Sequence, residues 1–233
     1  MLKNILRFQI DRTKIGIFTI LTIFSLFSIS LLVFRIFYSH STSYVFFIWN
    51  LFLAWIPFFL SLLLVIKEKY IRRNLSIAFI VFIWLLFFPN APYILTDLFH
   101  LKQTNGIPFW FDLVLFLSFV ANGLMLGLIS LGYIQNFIER RFSKIKGWIF
   151  TFVALFLGSF GIYLGRYQRW NSWDIITNPV ALFKDLVVRI INPVAHPRTY
   201  GMTILFFTLL TLIYLVFKIM FKNSEDSKDK IAL

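Results

Sequence analysis

The sequence has no cysteine and very little charge, and both shortages limit what the protein can be. Without a single Cys among its 233 residues, the chain holds neither a disulfide framework nor a zinc–cysteine site. Charged residues make up 14% of the chain, whereas soluble domains carry about 25%, so the surface is too poor in charge for a water-soluble protein. The chain is instead 59% hydrophobic and 20% aromatic, which excludes a disordered protein and indicates a membrane protein.

The net charge of +13 could suggest a nucleic-acid partner, but the distribution of the basic residues argues against it. They lie in short clusters between long apolar runs, as in membrane proteins, and do not form one continuous basic surface. We therefore expect membrane lipids as partners and no nucleic acid.

Six stretches are long and apolar enough to cross a bilayer, which takes about 20 residues of helix. A shorter segment, residues 179–191, has apolar residues on one half of its helical wheel and charged residues on the other, which predicts a helix lying along the membrane surface. The patterns predict an all-α polytopic protein with one transmembrane domain over residues 1–222 and a disordered cytoplasmic tail over residues 223–233. The predicted spanning helices cover residues 15–37, 44–66, 75–97, 112–136, 147–166 and 199–221.

Lys and Arg are concentrated in every second connection. The N-terminal segment, the second loop, the fourth loop and the C-terminal end carry four each. The first loop has only Arg35 at a helix end, the third has only Lys102, and the long fifth loop mixes five basic residues with Asp174 and Asp185. The positive-inside rule then predicts a multi-pass protein of the plasma membrane with both termini in the cytoplasm.

The third span contains a predicted break. Leu75–Phe88 provides fourteen residues before Pro89, about 21 Å of helix, which is too short to cross a bilayer. The span must therefore continue through Asn90 and Pro92, where two prolines remove backbone donors and kink or break the helix. Broken helices at membrane depth often line binding sites, and a simple kink is the alternative.

A second unusual stretch, residues 165–174, follows the fifth span. Arg166 and Arg169 are three residues apart, so a continuing helix would place both on one face, where they could clamp a phosphate or carboxylate. The alternative is that they extend toward water and lipid phosphates. The third and fifth spans run in the same direction, so we expect both stretches on the extracytoplasmic side, where they would surround a shared polar hollow. Gly161-x-x-x-Gly165 further predicts a close helix approach.

These two stretches resemble an uncharacterised bacterial integral-membrane family, catalogued as the domain of unknown function number thirteen sixty-one. The resemblance implies a polytopic membrane fold and supplies no chemistry. It rests on Phe88-Pro89-Asn90-Ala91-Pro92-Tyr93, Thr96-Asp97-Leu98, His100-Leu101, Gly165-Arg166 and Arg169-Trp170-Asn171-Ser172-Trp173-Asp174.

Asp97 and His100 are the candidate catalytic residues, because their spacing places a carboxylate and an imidazole on one face of a helical turn. Together with Asp112 and Asp174 they could also bind a divalent metal such as zinc or manganese. The alternative is a polar network in which Asp97 or Asp174 pairs with Arg166 or Arg169.

The sequence thus predicts an extracytoplasmic-facing site for an anionic ligand, such as a lipid or polyprenyl phosphate head group. Hydrolysis or group transfer on that head group is the natural reaction, with His100 or Asp97 as base. A small-solute or lipid transporter and a structural or assembly protein are the alternatives. Asp, Glu and Lys are absent from the middle of the spans, which argues against proton-coupled transport. The expected ligand-binding residues are Asn90, Tyr93, Arg166, Arg169, Trp170, Asn171 and Asp174.

Overall fold

The computed structural model describes the backbone of residues 2–231 except residues 69, 72, 104 and 105, and the side chains of residues 12–220 with the same gaps. Within this part of the chain all regular structure is helical. The elements are α1 (Leu2–Ser39), α2 (Phe46–Ile66), α3 (Asn74–Phe87), α4 (Asn90–Tyr93), a 3-10 helix (Ile94–His100), α5 (Phe109–Arg141), α6 (Lys144–Tyr163), a π-helical turn (Leu164–Gln168), α7 (Asp174–Thr177), α8 (Pro179–Ile191) and α9 (Pro197–Ile231).

Six stretches of helix are long and apolar enough to cross a membrane, which confirms the all-α polytopic prediction. The predicted disordered tail, residues 223–233, lies outside the described side chains and stays a prediction. The spanning stretches are Arg12–Ser39, Phe46–Ile66, Asn74–His100, Phe109–Arg141, Lys144–Gln168 and Pro197–Met220.

Helix α5 is the centre of the bundle and contacts α1, α2, α4, α6 and α9. Two glycines on α5 allow the short helix α4 to cross it closely. A Cβ atom added at Gly123 would lie 2.9 Å from the carbonyl oxygen of Ala91, and one added at Gly127 would lie 3.0 Å from the Ala91 Cβ. This small-residue contact brings the broken part of the third span into the protein interior.

A buried ion pair attaches α1 to α5. The Nε and Nη2 atoms of Arg35 donate to the two carboxylate oxygens of Asp112 over 2.7 and 3.1 Å, and the two side chains are 1% and 2% exposed. Tyr44, which has a positive φ of 74°, lies against the guanidinium with its ring centroid 4.2 Å away. Because the carboxylate matches the guanidinium in a two-pronged pair, each charge is neutralised in the apolar interior.

A second polar contact joins α1 to the bundle deeper in the spans. The hydroxyl oxygen of Ser25 accepts hydrogen bonds from the Asn122 amide over 2.8 Å and from the Trp55 indole over 3.1 Å. Helix α1 is therefore held by polar bonds to α2 and α5 as well as by apolar packing.

We expect Asp112→Asn to lower the free energy of unfolding by about 3–5 kcal/mol, because it leaves the Arg35 charge buried without a counter-charge. Thermal or denaturant unfolding of the purified protein in detergent measures the loss. Arg140→Gln is the matched control, since its pair with Glu68 is exposed and contributes below about 1 kcal/mol. Equal losses in the two variants would contradict the prediction, and the double variant Arg35→Met/Asp112→Leu should recover part of the stability.

Candidate functional site

The third span breaks where its prolines predict. Helix α3 ends at Phe87, the single turn α4 follows from Asn90 to Tyr93, and a 3-10 helix continues to His100. Pro89 and Pro92 interrupt the α-helical ladder, and because α3 ends at Phe87 its last carbonyl oxygens, those of Leu86 and Phe87 among them, lack helical partners.

Side chains from both unusual stretches satisfy these carbonyl groups. The Asn90 amide donates to the Phe87 carbonyl oxygen and to the Ser172 hydroxyl oxygen, both over 2.9 Å. The Ser172 hydroxyl in turn donates to the Leu86 carbonyl oxygen over 2.9 Å. Asn90 therefore caps the broken helix, and its bond to Ser172 brings the two stretches together as expected.

Two glycines on the fifth span bring the backbones close at the same place. A Cβ atom added at Gly161 would lie 2.8 Å from ring carbons of Pro89, and one added at Gly165 would lie 3.0 Å from the Tyr93 ring. At these points the two stretches are in direct van der Waals contact, where the sequence had suggested a hollow. The close approach expected from the glycine spacing is confirmed.

The prediction that Arg166 and Arg169 share one helical face is wrong. Helix α6 changes into the π-helical turn at Leu164, and Arg169 ends that turn in the left-handed conformation with φ of 58°. Arg166 points toward the 3-10 helix, whereas Arg169 is exposed. A π-helical turn has more residues per turn than the 3.6 of an α-helix, so residues three apart no longer lie on one face.

Asp97 lies at the centre of a polar contact between three segments. Its side chain is 1% exposed, its Oδ2 accepts from the Asn50 amide over 2.8 Å, and its Oδ1 lies 3.7 Å from Nη1 of Arg166. Arg166 is 14% exposed and stacks on the Phe99 ring, 5.3 Å from its centroid. The pairing of Asp97 with Arg166, which the sequence offered as one alternative, is confirmed.

His100 lies at the outer edge of this contact and is exposed. Its ring packs on Phe46 with centroids 5.3 Å apart, and the charges of Arg166 and Lys102 both act on it. Two cations, Arg166 and Lys102, therefore act at the His100 ring beside the end of the 3-10 helix, and an anion placed between them would reduce their mutual repulsion.

The proposed metal ligands are not brought together. Among the residues that the structure describes, no group of three or more His, Cys, Asp or Glu side chains could hold an ion. Asp97 faces Asn50 and Arg166, and Asp112 is bonded to Arg35. Asp174 accepts from the Asn171 backbone N–H over 2.6 Å and from the Thr177 hydroxyl over 3.0 Å, which folds its own loop.

Trp170 connects the site to α8. Its indole N–H donates to Asp185 over 2.9 Å, and Asp185 also pairs with Arg189 over 2.9 Å. Arg189 in turn donates to the Tyr163 hydroxyl oxygen over 2.8 Å. Burial alone would raise the pKa of Asp185, but the hydrogen bonds from Arg189 and Trp170 and the charges of Arg189 and His196 outweigh it, so its pKa lies below the ordinary value.

Residues 49–213 match the profile of a family described as "Protein of unknown function (DUF1361)". The chain belongs to this family. No curated protein and no solved structure matches the chain. The part shared with the family runs from within α2 to within α9, so it contains both unusual stretches and every residue of the contact around Asp97, whereas α1 lies outside it.

Sequence reasoning missed three contributions to the site. Asn50 lies within an apolar span, and only the fold shows that its partner is Asp97. Ser172 stands within the quoted 169–174 stretch but was given no role of its own, and Lys102 was only counted among the loop cations. The isolated Asn50 in an apolar span is the one signal that could have indicated a buried polar partner.

We expect Gly161→Ala to lower the free energy of unfolding by about 1–3 kcal/mol, because the added methyl group would overlap the rigid ring of Pro89. Gly16→Ala is the matched control, since nothing lies within 4 Å of a Cβ added there. Thermal unfolding in detergent compares the two variants, and a Gly161→Ala protein as stable as the Gly16→Ala protein would contradict the packing.

We expect acid to weaken the docking of α8, because Asp185 must be charged to hold it. Because the pKa of Asp185 is lowered in the folded protein, its contribution is complete above the ordinary carboxyl pKa of about 3.9 and is lost as the pH falls through the lower folded value. Hydrogen exchange of the α8 amides, corrected for intrinsic rates, should therefore accelerate mainly below about pH 4. In Asp185→Asn it should already be fast at pH 7, whereas the exposed Lys184→Gln should behave as wild type.

Proposed function

We propose that this integral membrane protein binds the phosphate head group of a lipid or polyprenyl phosphate beside the end of the third span, with Arg166 as the main anchor. The supporting observation is the incomplete bonding of Arg166. Among the described residues its one ion pair, to Asp97, is 3.7 Å long, whereas charge-assisted hydrogen bonds measure about 2.7–2.9 Å.

The contrast with Arg35 supports this role. Arg35 is 2% exposed and makes a two-pronged pair with Asp112. Arg166 is 14% exposed and makes no hydrogen bond to the described residues. A guanidinium has five N–H donors in a planar fork that fits phosphate oxygens. Arg166 is thus oriented by Asp97 and Phe99 while its donors stay available to a ligand.

The neighbouring residues would have separate tasks. Lys102 adds positive charge at the ligand, His100 presents an imidazole beside it, and Asn50 holds the Asp97 carboxylate that orients Arg166. Tyr93 and Asn90 shape the protein side of the site, and Arg169 is exposed for contact with a neighbouring head group. Trp170, Asn171 and Asp174 fix the loop and α8 around the site.

The charge pattern and α8 support the proposed location of the site. The basic connections support cytoplasmic termini in the cell membrane, with the site on the opposite side. Helix α8 turns Asp185 and Arg189 toward the protein and exposes Val180, Phe183 and Ile191 by 66–68%, so we place that apolar face in the outer boundary of the bilayer. A lipid head group would then reach Arg166 from the same boundary.

If hydrolysis or transfer follows binding, His100 is the better candidate for the base. It is exposed at the ligand side, whereas Asp97 is buried and engaged by Asn50 and Arg166. The second candidate function is structural, because the bonds of Asn90 and Ser172 and the contact of Gly161 with Pro89 would also hold the outer loops together for a partner.

Binding of phosphatidic acid to the purified protein in phosphatidylcholine nanodiscs tests the proposal. We expect Arg166→Gln to weaken binding roughly tenfold to a hundredfold, which corresponds to the loss of hydrogen bonds to a charged group. Arg166→Lys should lose less, since it keeps the charge without the fork. Lys144→Gln, which removes an exposed basic residue at the opposite end of the bundle, should bind as wild type.

Unchanged binding by a folded Arg166→Gln protein would contradict the proposal. A loss of stability or of partner capture with unchanged lipid binding would instead favour the structural function. Phosphate release from phosphatidic acid that disappears in His100→Ala, while binding persists, would identify the protein as an enzyme.

A further inference from the structure

The end of the bundle far from Arg166 has a strong excess of positive charge. Here α2 leads into α3, and α5 leads into α6. Glu68 and Glu139 are the acidic residues of this region among those described. They are outnumbered by six basic residues, namely Lys67, Arg73, Arg140, Arg141, Lys144 and Lys146.

A cavity of about 440 Å³ opens between the α2–α3 connection and the first turns of α3. This size falls within the range of small-molecule sites, about 300–1,000 Å³. The cavity is lined by Tyr70, Ile71, Arg73, Ser76 and Ile80.

Two contacts attach the walls of the cavity to the end of α5. Arg140 pairs with Glu68 over 2.9 Å on the α2 side of the connection. Arg141 donates to the Asn74 side-chain oxygen over 2.7 Å at the start of α3. The described residues on either side of the connection, Glu68 and Asn74, are therefore both attached to the end of α5.

The lining combines a cation, two hydroxyl groups and an apolar floor. Arg73 is exposed and pairs with no carboxylate among the described residues, so its charge is available to an anion. The hydroxyl groups of Tyr70 and Ser76 can bond ester or glycerol oxygens, and Ile71 and Ile80 provide the apolar part.

An apolar stripe on α3 lies beside the cavity, because Phe79 is one helical turn from the lining residue Ser76. Leu75, Phe79 and Phe82 recur at helical spacing and are 83%, 62% and 55% exposed. A free phosphate ion could not use this stripe, whereas the acyl chains of a phospholipid would lie against it.

We propose that this cavity binds the head group of an anionic phospholipid, with Arg73 on the phosphate and the acyl chains along Leu75, Phe79 and Phe82. Anionic lipids are attracted to basic segments at the ends of spanning helices, and basic pockets between such helices bind their head groups. This site is separate from the one around Arg166 and stands on different residues.

Native mass spectrometry of the full-length protein, titrated with dioleoyl phosphatidylglycerol or dioleoyl phosphatidylcholine, tests the proposal. We expect Arg73→Gln to weaken phosphatidylglycerol binding about fivefold, the effect of one basic residue near an anionic head group. Ser76→Trp, which fills the cavity without changing its charge, should cause a similar loss. Lys144→Gln, an equal change of charge outside the cavity lining, should bind as wild type.

Three other results would each overturn the proposal. Wild-type affinity in both Arg73→Gln and Ser76→Trp would exclude the cavity, and an equal loss in Lys144→Gln would show general attraction to a basic surface. Competition by soluble glycerol 3-phosphate at the concentration of the lipid would indicate a small phosphate ligand and not a lipid. Repeating the titration in Arg166→Gln separates the two sites, because the effect of Arg73→Gln should be unchanged there even if the proposal for Arg166 fails.

Discussion

The hydrogen bonds at the broken third span are the constraint on which the rest of the structure depends. Hydrocarbon offers no partner for a free carbonyl group, so a span interrupted by Pro89 and Pro92 needs donors from elsewhere in the protein. Asn90 and Ser172 supply them, and Ser172 belongs to the loop after the fifth span. The cap therefore joins the two stretches, and Gly161 and Gly165 make the approach close enough for Arg166 to face Asp97.

The two arginine–aspartate pairs differ in burial and in geometry, and this difference separates a structural pair from a candidate binding pair. Arg35 and Asp112 make two hydrogen bonds through Nε and Nη2, and both side chains are almost fully buried. Arg166 and Asp97 share one long contact, and the arginine keeps part of its surface accessible. The same two residue types thus form a structural contact at one place and a candidate binding site at the other, and the difference lies in geometry rather than in composition.

Much of the fold could be predicted because the bilayer simplifies the problem. Span length, the distribution of Lys and Arg and the positions of Pro89 and Pro92 each have a direct physical meaning in hydrocarbon, and the six spans and the break followed from them. The site was harder to predict. The sequence placed Arg166 and Arg169 on one face because it gave no sign of the π-helical turn, and local spacing could not show that Asn50 and Asp97 meet across 47 positions of the chain.

The polar bonds of α1 have a consequence for how the family domain is delimited. The profile match begins inside α2, yet Asp112 and Asn122 within the matched region find their partners in Arg35 and Ser25 of α1. A fragment cut to the matched residues would expose a carboxylate and an amide to lipid. We therefore expect the smallest unit that folds alone to include the first helix as well as the stretch that matches the family.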